Sequence, residues 1–424
     1  MEKASYLIEQ FKNDKLKQRI EDIYVDEKMY EKMKNRYVAA ITKFISLYGD
    51  QDVEIYSTPG RSEVCGNHTD HQNGEVLATA VNMDIIAVVA KNDHEVKITD
   101  AYYLKAIPID DLEIKNNELE TSEALIRGTL ARFKQLGYAI GGFNAFMTSD
   151  VPAGSGLSSS AAFEVMIGTI LSGLYNDMKI DPVEIAKIGQ YSERNYFGKP
   201  CGLMDQCACS IGGLIHIDFQ NKDNPKVNKI DTDFSKFKHS LCIVDVNASH
   251  ADLTGEYAAI PQEMASVANC FGKDLLREVD SADFYNQISA IRQKTSDRAV
   301  LRALHFFNEN IRVEQAVEAL TNGEFDSFKK IIAASGNSSF KYLQNVYSNN
   351  DYSHQAVSIA LGLSEVILGS HGVCRVHGGG FAGTIQCFVE DDYVATYKKE
   401  IEKHFGEGKC HVLKIRPYGG IKAI

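Results

Sequence analysis

Four short stretches of this chain concentrate side chains that could do chemistry. The first is PGRSEVCGNHTDH at 59–71, which packs Arg61, Glu63, His68, Asp70 and His71 just after a strand-like segment. A polyol is held by such a density of donors and acceptors, because each hydroxyl needs one of each. A polar surface loop has the same composition. His68 and His71 could also ligate a metal, although H-x-x-H here lacks a defined spacing to further ligands.

The second stretch is PAGSGLSSSA at 152–161, which opens an apolar segment. Its glycines let backbone N–H groups turn toward an anion, and a helix N-terminus adds partial positive charge. Ser158, Ser159 and Ser160 add hydroxyls for phosphate oxygens or a metal. A tight turn with a serine cap is the plainer alternative. No G-x-x-x-x-G-K-[ST] loop occurs in the chain.

The third stretch is GKPCGLMDQ at 198–206, where Asp205 lies among Met204, Cys207 and Ala208. An acid in that setting either caps a turn or serves as a base, and in isolation the cap is favoured. The fourth is RVHGGGFAG at 375–383, which contains a G-x-G-x-x-G match. A strand-like segment follows it rather than a helix, and too little chain remains for a dinucleotide fold. Three adjacent glycines between strands mark a close backbone approach.

These stretches need elements to position them. Residues 1–35 are charged and carry a ragged helical stripe of Ile8, Phe11, Leu16 and Ile20. Segments 84–92 and 95–99 read as a hairpin turning at Asp93-His94. The apolar segment 159–175 reads as a buried helix whose one charge is Glu164. A second helix is signalled by Asp181 as cap, Pro182 at its first position and Gly198 at its close, with Glu193 facing inward. Strands are expected at 241–246, 373–376, 384–389 and 412–415, with mostly helix over 255–345. Strand runs followed by helix runs favour α+β over a regularly alternating sheet. The coarse reading is two domains, 1–220 and 221–424, with a join near 215–235.

Composition narrows the class. The 424 residues carry 45 Lys+Arg against 57 Asp+Glu, a net charge of −12. That balance argues against a nucleic-acid or anionic-membrane partner. The most apolar run, 161–174, is broken by Glu164 and falls short of a membrane span. The start of the sequence does not read as a signal peptide. Nine cysteines without C-x-x-C spacing fit reduced thiols in a cytoplasmic protein.

Taken together, the four stretches resemble the motifs of the GHMP small-molecule kinases, and galactokinases most closely. PGRSEVCGNHTDH resembles the galactokinase signature P-G-R-x-N-x-x-G-E-H-x-D-Y. PAGSGLSSSA matches P-x-x-x-G-L-S-S-S-A, and GGGFAG at 378–383 resembles G-G-G-F-G-G. PCGLMDQ at 200–206, NASHADLTGEY at 247–257 and IRPYGG at 415–420 add to the match, which spans about residues 50–420.

The resemblance implies an α+β GHMP kinase fold. Its N-terminal domain would be like ribosomal protein S5 domain 2, and its C-terminal domain would be a ferredoxin-like sandwich. It implies an ATP-dependent sugar kinase, with ATP and Mg²⁺ as cofactors and galactose or a related sugar as partner. By motif match, Asp205 would be the base and Arg61 would orient it. Asn67, His68, Asp70, Gly202 and Tyr257 would hold the sugar, and Gly378 to Gly380 would support the site. Gly154, Ser155, Gly156, Leu157, Ser158, Ser159 and Ser160 would cradle the phosphates, with Ser160 and Glu193 at the Mg²⁺ positions. The family is often monomeric, so a monomer is expected. A sugar sensor on the same scaffold is the alternative from another class, but such relatives lose part of the serine run that is intact here.

The sequence also departs from the pattern. Asn67 stands where galactokinases have an acid near the sugar's C6 hydroxyl. His71 replaces a Tyr, and Ser62-Glu63 replaces an apolar-Asn pair. His377 and Ala382 are smaller changes. A neutral Asn67 could donate to a 6-carboxylate as well as to a hydroxyl, and the N-H-T-D-H run partly resembles the plant galacturonokinases. Galacturonate is therefore an alternative substrate, although no new Arg or Lys appears within the motif to pair its carboxylate.

Overall fold

The computed structural model describes the chain except residues 101–103, 153–155, 200, 222–223, 248–252 and 382. The N-terminal expectation of helix holds. After the short β1 (Glu2–Lys3) come α1 (Ala4–Lys12), α2 (Lys17–Tyr24) and α3 (Tyr30–Tyr48). Their apolar faces, including Leu7, Phe11, Ile23, Tyr37 and Phe44, close over Val53, Ile55, Ile86 and Val88 of the first sheet. At the centre of that contact lies Asp84. It accepts from Tyr24 Oη at 2.7 Å, Arg36 Nη1 at 2.5 Å and Arg416 Nη1 at 3.1 Å.

The first sheet is built on two long strands, β2 (Asp52–Cys65) and β3 (Glu75–Asn92), paired antiparallel. The register shifts twice along β2, between Pro59 and Arg61 and again between Glu63 and Cys65. Such irregularities re-aim side chains, and here they bracket Arg61 and Glu63. Beyond β3 lie β4 (Glu95–Thr99), β5 (Leu104–Pro108) and β6 (Gly142–Ser149).

Here one expectation fails. The strands at 84–92 and 95–99 exist but do not pair. β6 runs between them, antiparallel to β3 and parallel to β4, giving the order β1-β2-β3-β6-β4-β5. The chain crosses over the start of β6 at Gly142, where a Cβ would run into the backbone of Asn92 and Glu95. A close crossing of this kind leaves no mark in hydrophobic alternation.

Helices α4 (Ser122–Gln135), α5 (Ser159–Asn176), α6 (Pro182–Ser192) and α7 (Met204–Ile211) form a helical layer, and α5 packs on β2 and β3. Asp181 caps α6 by accepting from Val183 N at 2.8 Å. The helix then widens into a π turn, Glu193–Phe197, before Gly198 ends it with φ +90°. That turn leaves Glu193 buried at 3% exposure. Local widening of a helix is common where a side chain must be re-aimed for function.

Two more strands, β7 (Leu214–Asp218) and β8 (Lys226–Ile230), extend the first sheet past residue 220. The second sheet then begins with β9 (His239–Asp245). Around it come α8 (Thr254–Asn269), α9 (Ser281–Lys294), α10 (Asp297–Thr321), α11 (Phe325–Ser338) and α12 (Ala356–Leu368), then β10 (Gly372–Val376) and β11 (Thr384–Glu390). Helix α13 (Val394–Phe405) and β12 (Cys410–Leu413) complete an antiparallel sheet of order β10-β11-β9-β12. The end of the chain returns to the first sheet, where β13 (Ile421–Lys422) pairs with β2. Sheet membership thus changes after Ile230 rather than at 220, and the last residues belong with the first sheet.

Candidate active site

Arg61 projects from the irregular part of β2 and meets Asp205, which is in the first turn of α7. The contact is bidentate: Nε to Oδ1 and Nη2 to Oδ2, both 2.6 Å. The remaining nitrogen, Nη1, donates to the carbonyl of Gly156. The Arg61 backbone N–H donates to Leu157 O at 3.0 Å, so the glycine-serine turn is clamped to β2 at two points. Two planar N–H···O bonds of this kind fix orientation as well as charge.

Asp205 does not cap a turn. Its Oδ2 also accepts from the hydroxyl of Ser158, the residue that opens α5. Ser158 has φ +55° and no capping bond to its own helix. Both plainer alternatives, the acid as turn cap and the serine as helix cap, are therefore replaced by one contact between the two motifs. Burial pushes the Asp205 carboxyl upward, but the Arg61 guanidinium, the Ser158 hydroxyl and the Lys199 ammonium outweigh it. The net effect holds Asp205 below the ordinary carboxylate range, so it is ionised at neutral pH. Its side chain keeps 32% exposure, which leaves one face open to a reactant.

The loop after β2 lies across this pair. Asp70 sits against Gly202, where a Cβ would collide with its Oδ2. Burial raises the Asp70 carboxyl against the opposing pull of His68, and the nearby Glu63 and Asp205 charges add to the rise. The glycine turn of the second domain receives the rest of the predicted sugar set. Gly378 O accepts from Asn67 Nδ2 at 2.6 Å, Gly379 O from His68 Nε2 at 2.9 Å and Gly380 O from Tyr257 Oη at 2.9 Å. A Cβ on Gly379 would approach the Tyr257 ring to 2.7 Å, which is the close approach that three glycines suggested.

Asn67 is closed into the protein. It is fully buried, and its amide is spent within the protein. Nδ2 donates to Glu63 and Gly378 O, while Oδ1 accepts from Asn345 at 2.7 Å and Ser339 at 3.3 Å. No free donor remains for a 6-carboxylate. His71 is likewise enclosed, with both ring nitrogens unpartnered, and burial lowers it to about 3. Among the described residues no group of three or more His, Cys, Asp and Glu side chains gathers as a metal site, at His68 and His71 or elsewhere.

On the phosphate side, Gly154 and Ser155 lie outside the described residues. Gly156 has φ +72°, in the region that favours glycine, and Leu157 is a core side chain rather than a contact. Ser159 and Ser160 stand in the first turn of α5, where unpaired N–H groups and the helix dipole favour an anion. Ser160 and Glu164 are four apart and so share a helix face. Glu164 is 1% exposed and is held beside Glu193 by Gln206 Nε2, which donates to both at 3.0 and 2.9 Å. Glu164 Oε1 is enclosed without a partner, and burial beside Glu193 raises this carboxyl well above its usual value. A hydroxyl and two neighbouring carboxyl groups are the oxygen donors a hard divalent cation takes, so the residues fit Mg²⁺.

Some of the working parts were not singled out from the sequence. Arg375 is fully buried and donates Nη2 to Glu63 at 2.9 Å and Nη1 to Val64 O at 2.8 Å. His377 lies 3.0 Å from Ser62 Oγ, and Gln386 donates to Glu63 O at 2.7 Å. The second sheet thereby grips the residues next to Arg61. His305 Nε2 donates to Asn67 O at 2.8 Å, and Glu309 accepts from the Gly66 N–H at 3.1 Å, so α10 shapes the loop from beneath. Arg375 was visible as part of the fourth stretch. The α10 residues carry no motif signal.

Fold and site together define a GHMP-type small-molecule kinase. The family model described as GHMP kinases N terminal domain matches residues 124–213, and that described as galactokinase galactose-binding signature matches 42–91. The galactokinase of Actinobacillus pleuropneumoniae serotype 3 (strain JL03) is 32% identical over 382 residues, covering 86% of this chain and 93% of the relative. That of Haemophilus influenzae is 31% identical, covering 84% and 89%. Among solved structures, Lactococcus lactis galactokinase complexed with galactose superposes with a TM-score of 0.74 at 23% identity, covering 90% and 98%. A mevalonate kinase gives 0.60 at 17% identity, covering 85% and 99%. The chain belongs to the galactokinase family. Its fold is the GHMP kinase fold. Among the described residues, no helix is long and apolar enough to cross a membrane.

Proposed function

We propose that this protein transfers the γ-phosphoryl group of ATP to the anomeric hydroxyl of galactose, giving galactose 1-phosphate and ADP. The observation that carries this reading is the Arg61–Asp205–Ser158 contact. It joins the sugar-loop strand, the phosphate turn and an ionised carboxylate at one point.

Asp205 accepts the proton of the attacking hydroxyl. Arg61 keeps that carboxylate ionised and aimed, and lies where negative charge spreads as the phosphoryl group moves. The opening turn of α5 faces the polyphosphate with its N–H groups. Ser160 and Glu193 would hold Mg²⁺, which neutralises phosphate charge when bound. Positioning and electrostatic stabilisation of this kind account for most of phosphoryl-transfer catalysis.

Galactose is preferred over galacturonate on charge grounds. The loop residues Glu63 and Asp70 sit together near Asp205, and burial has already raised Asp70 in their company. A 6-carboxylate would add a further negative charge, with the Asn67 amide already spent. His68, Asp70, Gly202 and Tyr257 remain the proposed sugar-holding residues, with Asn67 shaping the loop behind them. We take the working form to be a cytoplasmic monomer.

The test is ADP release from ATP·Mg²⁺ with galactose and with galacturonate, side by side. Turnover with galactose alone is expected. Preference for galacturonate would overturn the charge argument. Silence with both would move the search to another sugar phosphorylated at C1, and then to the sensor reading.

A further inference from the structure

Lys199 is an unassigned cation at the edge of the site. Its Nζ lies 3.2 Å from Glu193 Oε1, and its side chain is 59% exposed while that of Glu193 is 5% exposed. The other oxygen of Glu193 is taken by Gln206 at 2.9 Å. Both Glu193 oxygens are therefore partnered in the free protein, with the Cys201 thiol also bonded to this carboxylate, and one partner is an ammonium on a solvent-exposed stem.

The surroundings favour a cation there. Glu164, Glu193 and Asp205 converge, and Asp205 has Arg61 as its own partner. Glu193 and Glu164 share one neutral amide donor, Gln206, and among the described residues Lys199 is the one basic side chain that ion-pairs with Glu193. A buried carboxylate without a counter-ion is costly, and Lys199 supplies positive charge at Glu193.

We infer that Lys199 is the internal counter-ion of Glu193, which a divalent cation must displace in order to bind. This rests on the reading of Glu193 as a metal-holding residue. Lys199 acts through Glu193, so it is a positioning residue. It keeps the acidic pair in place while the site is empty and weakens the resting affinity for the metal. An ammonium on an exposed four-carbon stem can leave at little cost, whereas an arginine would grip the carboxylate in a fork.

Mn²⁺ is a probe that reports binding without turnover. Free Mn²⁺ is followed by its paramagnetic resonance signal as it is added, at pH 8 and without nucleotide, to the wild type, Lys199→Met, Lys199→Arg and Lys199→Met/Glu193→Gln. Removing a unit charge a few ångströms from the ion is expected to tighten Mn²⁺ binding about tenfold in Lys199→Met. Lys199→Arg is expected to bind no more tightly than wild type, and the double variant to lose the gain. Equal affinity in wild type and Lys199→Met overturns the inference while leaving the metal site standing. A gain that survives Glu193→Gln also overturns it, because the ion then sits elsewhere. No Mn²⁺ binding in any form removes the metal reading of Glu193 and this inference with it. Lys199 is mostly exposed, so its variants should fold as the wild type does.

Discussion

The amide of Asn67 donates to both carboxylate oxygens of Glu63, at 3.2 Å each, and the pair is buried against Arg375. In the galactokinase motif these two positions carry an amide first and an acid second. Here the order is reversed, and the structure shows that the two positions touch. The change that looked like the loss of an acid at 67 is an exchange within one contact.

That contact predicts strong coupling. Asn67→Glu alone would set two buried carboxylates against each other. Glu63→Asn alone would leave Arg375 buried without its carboxylate, a loss of about 3–5 kcal/mol. The double variant restores one acid and one amide and should recover part of the stability. Urea denaturation of all four proteins measures this directly. A coupling energy above about 1 kcal/mol is expected, and additive single effects would show that the two positions act separately.

Asp205→Asn tests the chemistry. The amide is the same size but accepts at one oxygen only, so the fold is kept at some cost in stability, because buried Arg61 loses its counter-charge and part of its fork. The lost proton acceptor should lower kcat per folded molecule by about 10²–10⁴-fold. Arg61 and its neighbours hold Asp205 below the usual carboxylate value despite burial. Its ionisation therefore should not produce an acid limb in the wild-type rate profile above about pH 4. Near-full turnover in the variant would remove Asp205 from the base role.

Much of the site was legible because its residues lie in short, chemically dense runs. The Ser158–Asp205 contact shows where that stops. Each residue has an ordinary local role as a cap, and only the folded chain shows that they serve each other. The reversed Glu63–Asn67 pair was visible as two departures but not as one contact, because a register shift between Glu63 and Cys65 decides that they meet. Helix α6 was readable from Asp181, Pro182 and Gly198, whose backbone preferences are local. The β3–β6–β4 order was not, since strand neighbours are set by packing and by one crossing at Gly142. His305 and Glu309 carry no local signal at all, being helical residues whose partners are loop backbone atoms over 200 positions away.

The N-terminal helices should matter for stability rather than for chemistry. Arg36 binds Asp84 through Nη1 at 2.5 Å and two backbone carbonyls through Nη2, at Asp84 (2.8 Å) and Thr148 (3.0 Å). Arg36→Ala leaves those groups and a buried carboxylate short of a partner. A loss of about 3–5 kcal/mol is expected, read as a lower urea midpoint, with kcat per folded molecule unchanged. An unaltered midpoint would mean that Arg416 alone satisfies Asp84.

Two buried histidines predict acid sensitivity in a defined window. His305 and His377 are fully bonded as neutral rings, to Asn67 O and Ser338 and to Ser62 and Thr384. Burial lowers His305 to about 4 and His377 to about 3. In the unfolded chain both would titrate near ~6.5. Below that pH the unfolded state takes up protons that the folded state refuses. Stability is therefore whole above about pH 6.5 and is lost as pH falls toward the folded values, by up to about 1.4 kcal/mol per pH unit for each ring. Glu309, held at about 2 by its buried partners despite the cost of burial, works in the same direction but only at lower pH. Urea midpoints at pH 7, 6 and 5 should therefore fall steeply in the wild type. His305→Asn, which can still donate to Asn67 O, should lose about one ring's share of that slope. An unchanged slope in the variant would show that His305 is already protonated in the folded protein, and the neutral network beneath the sugar loop would have to be redrawn.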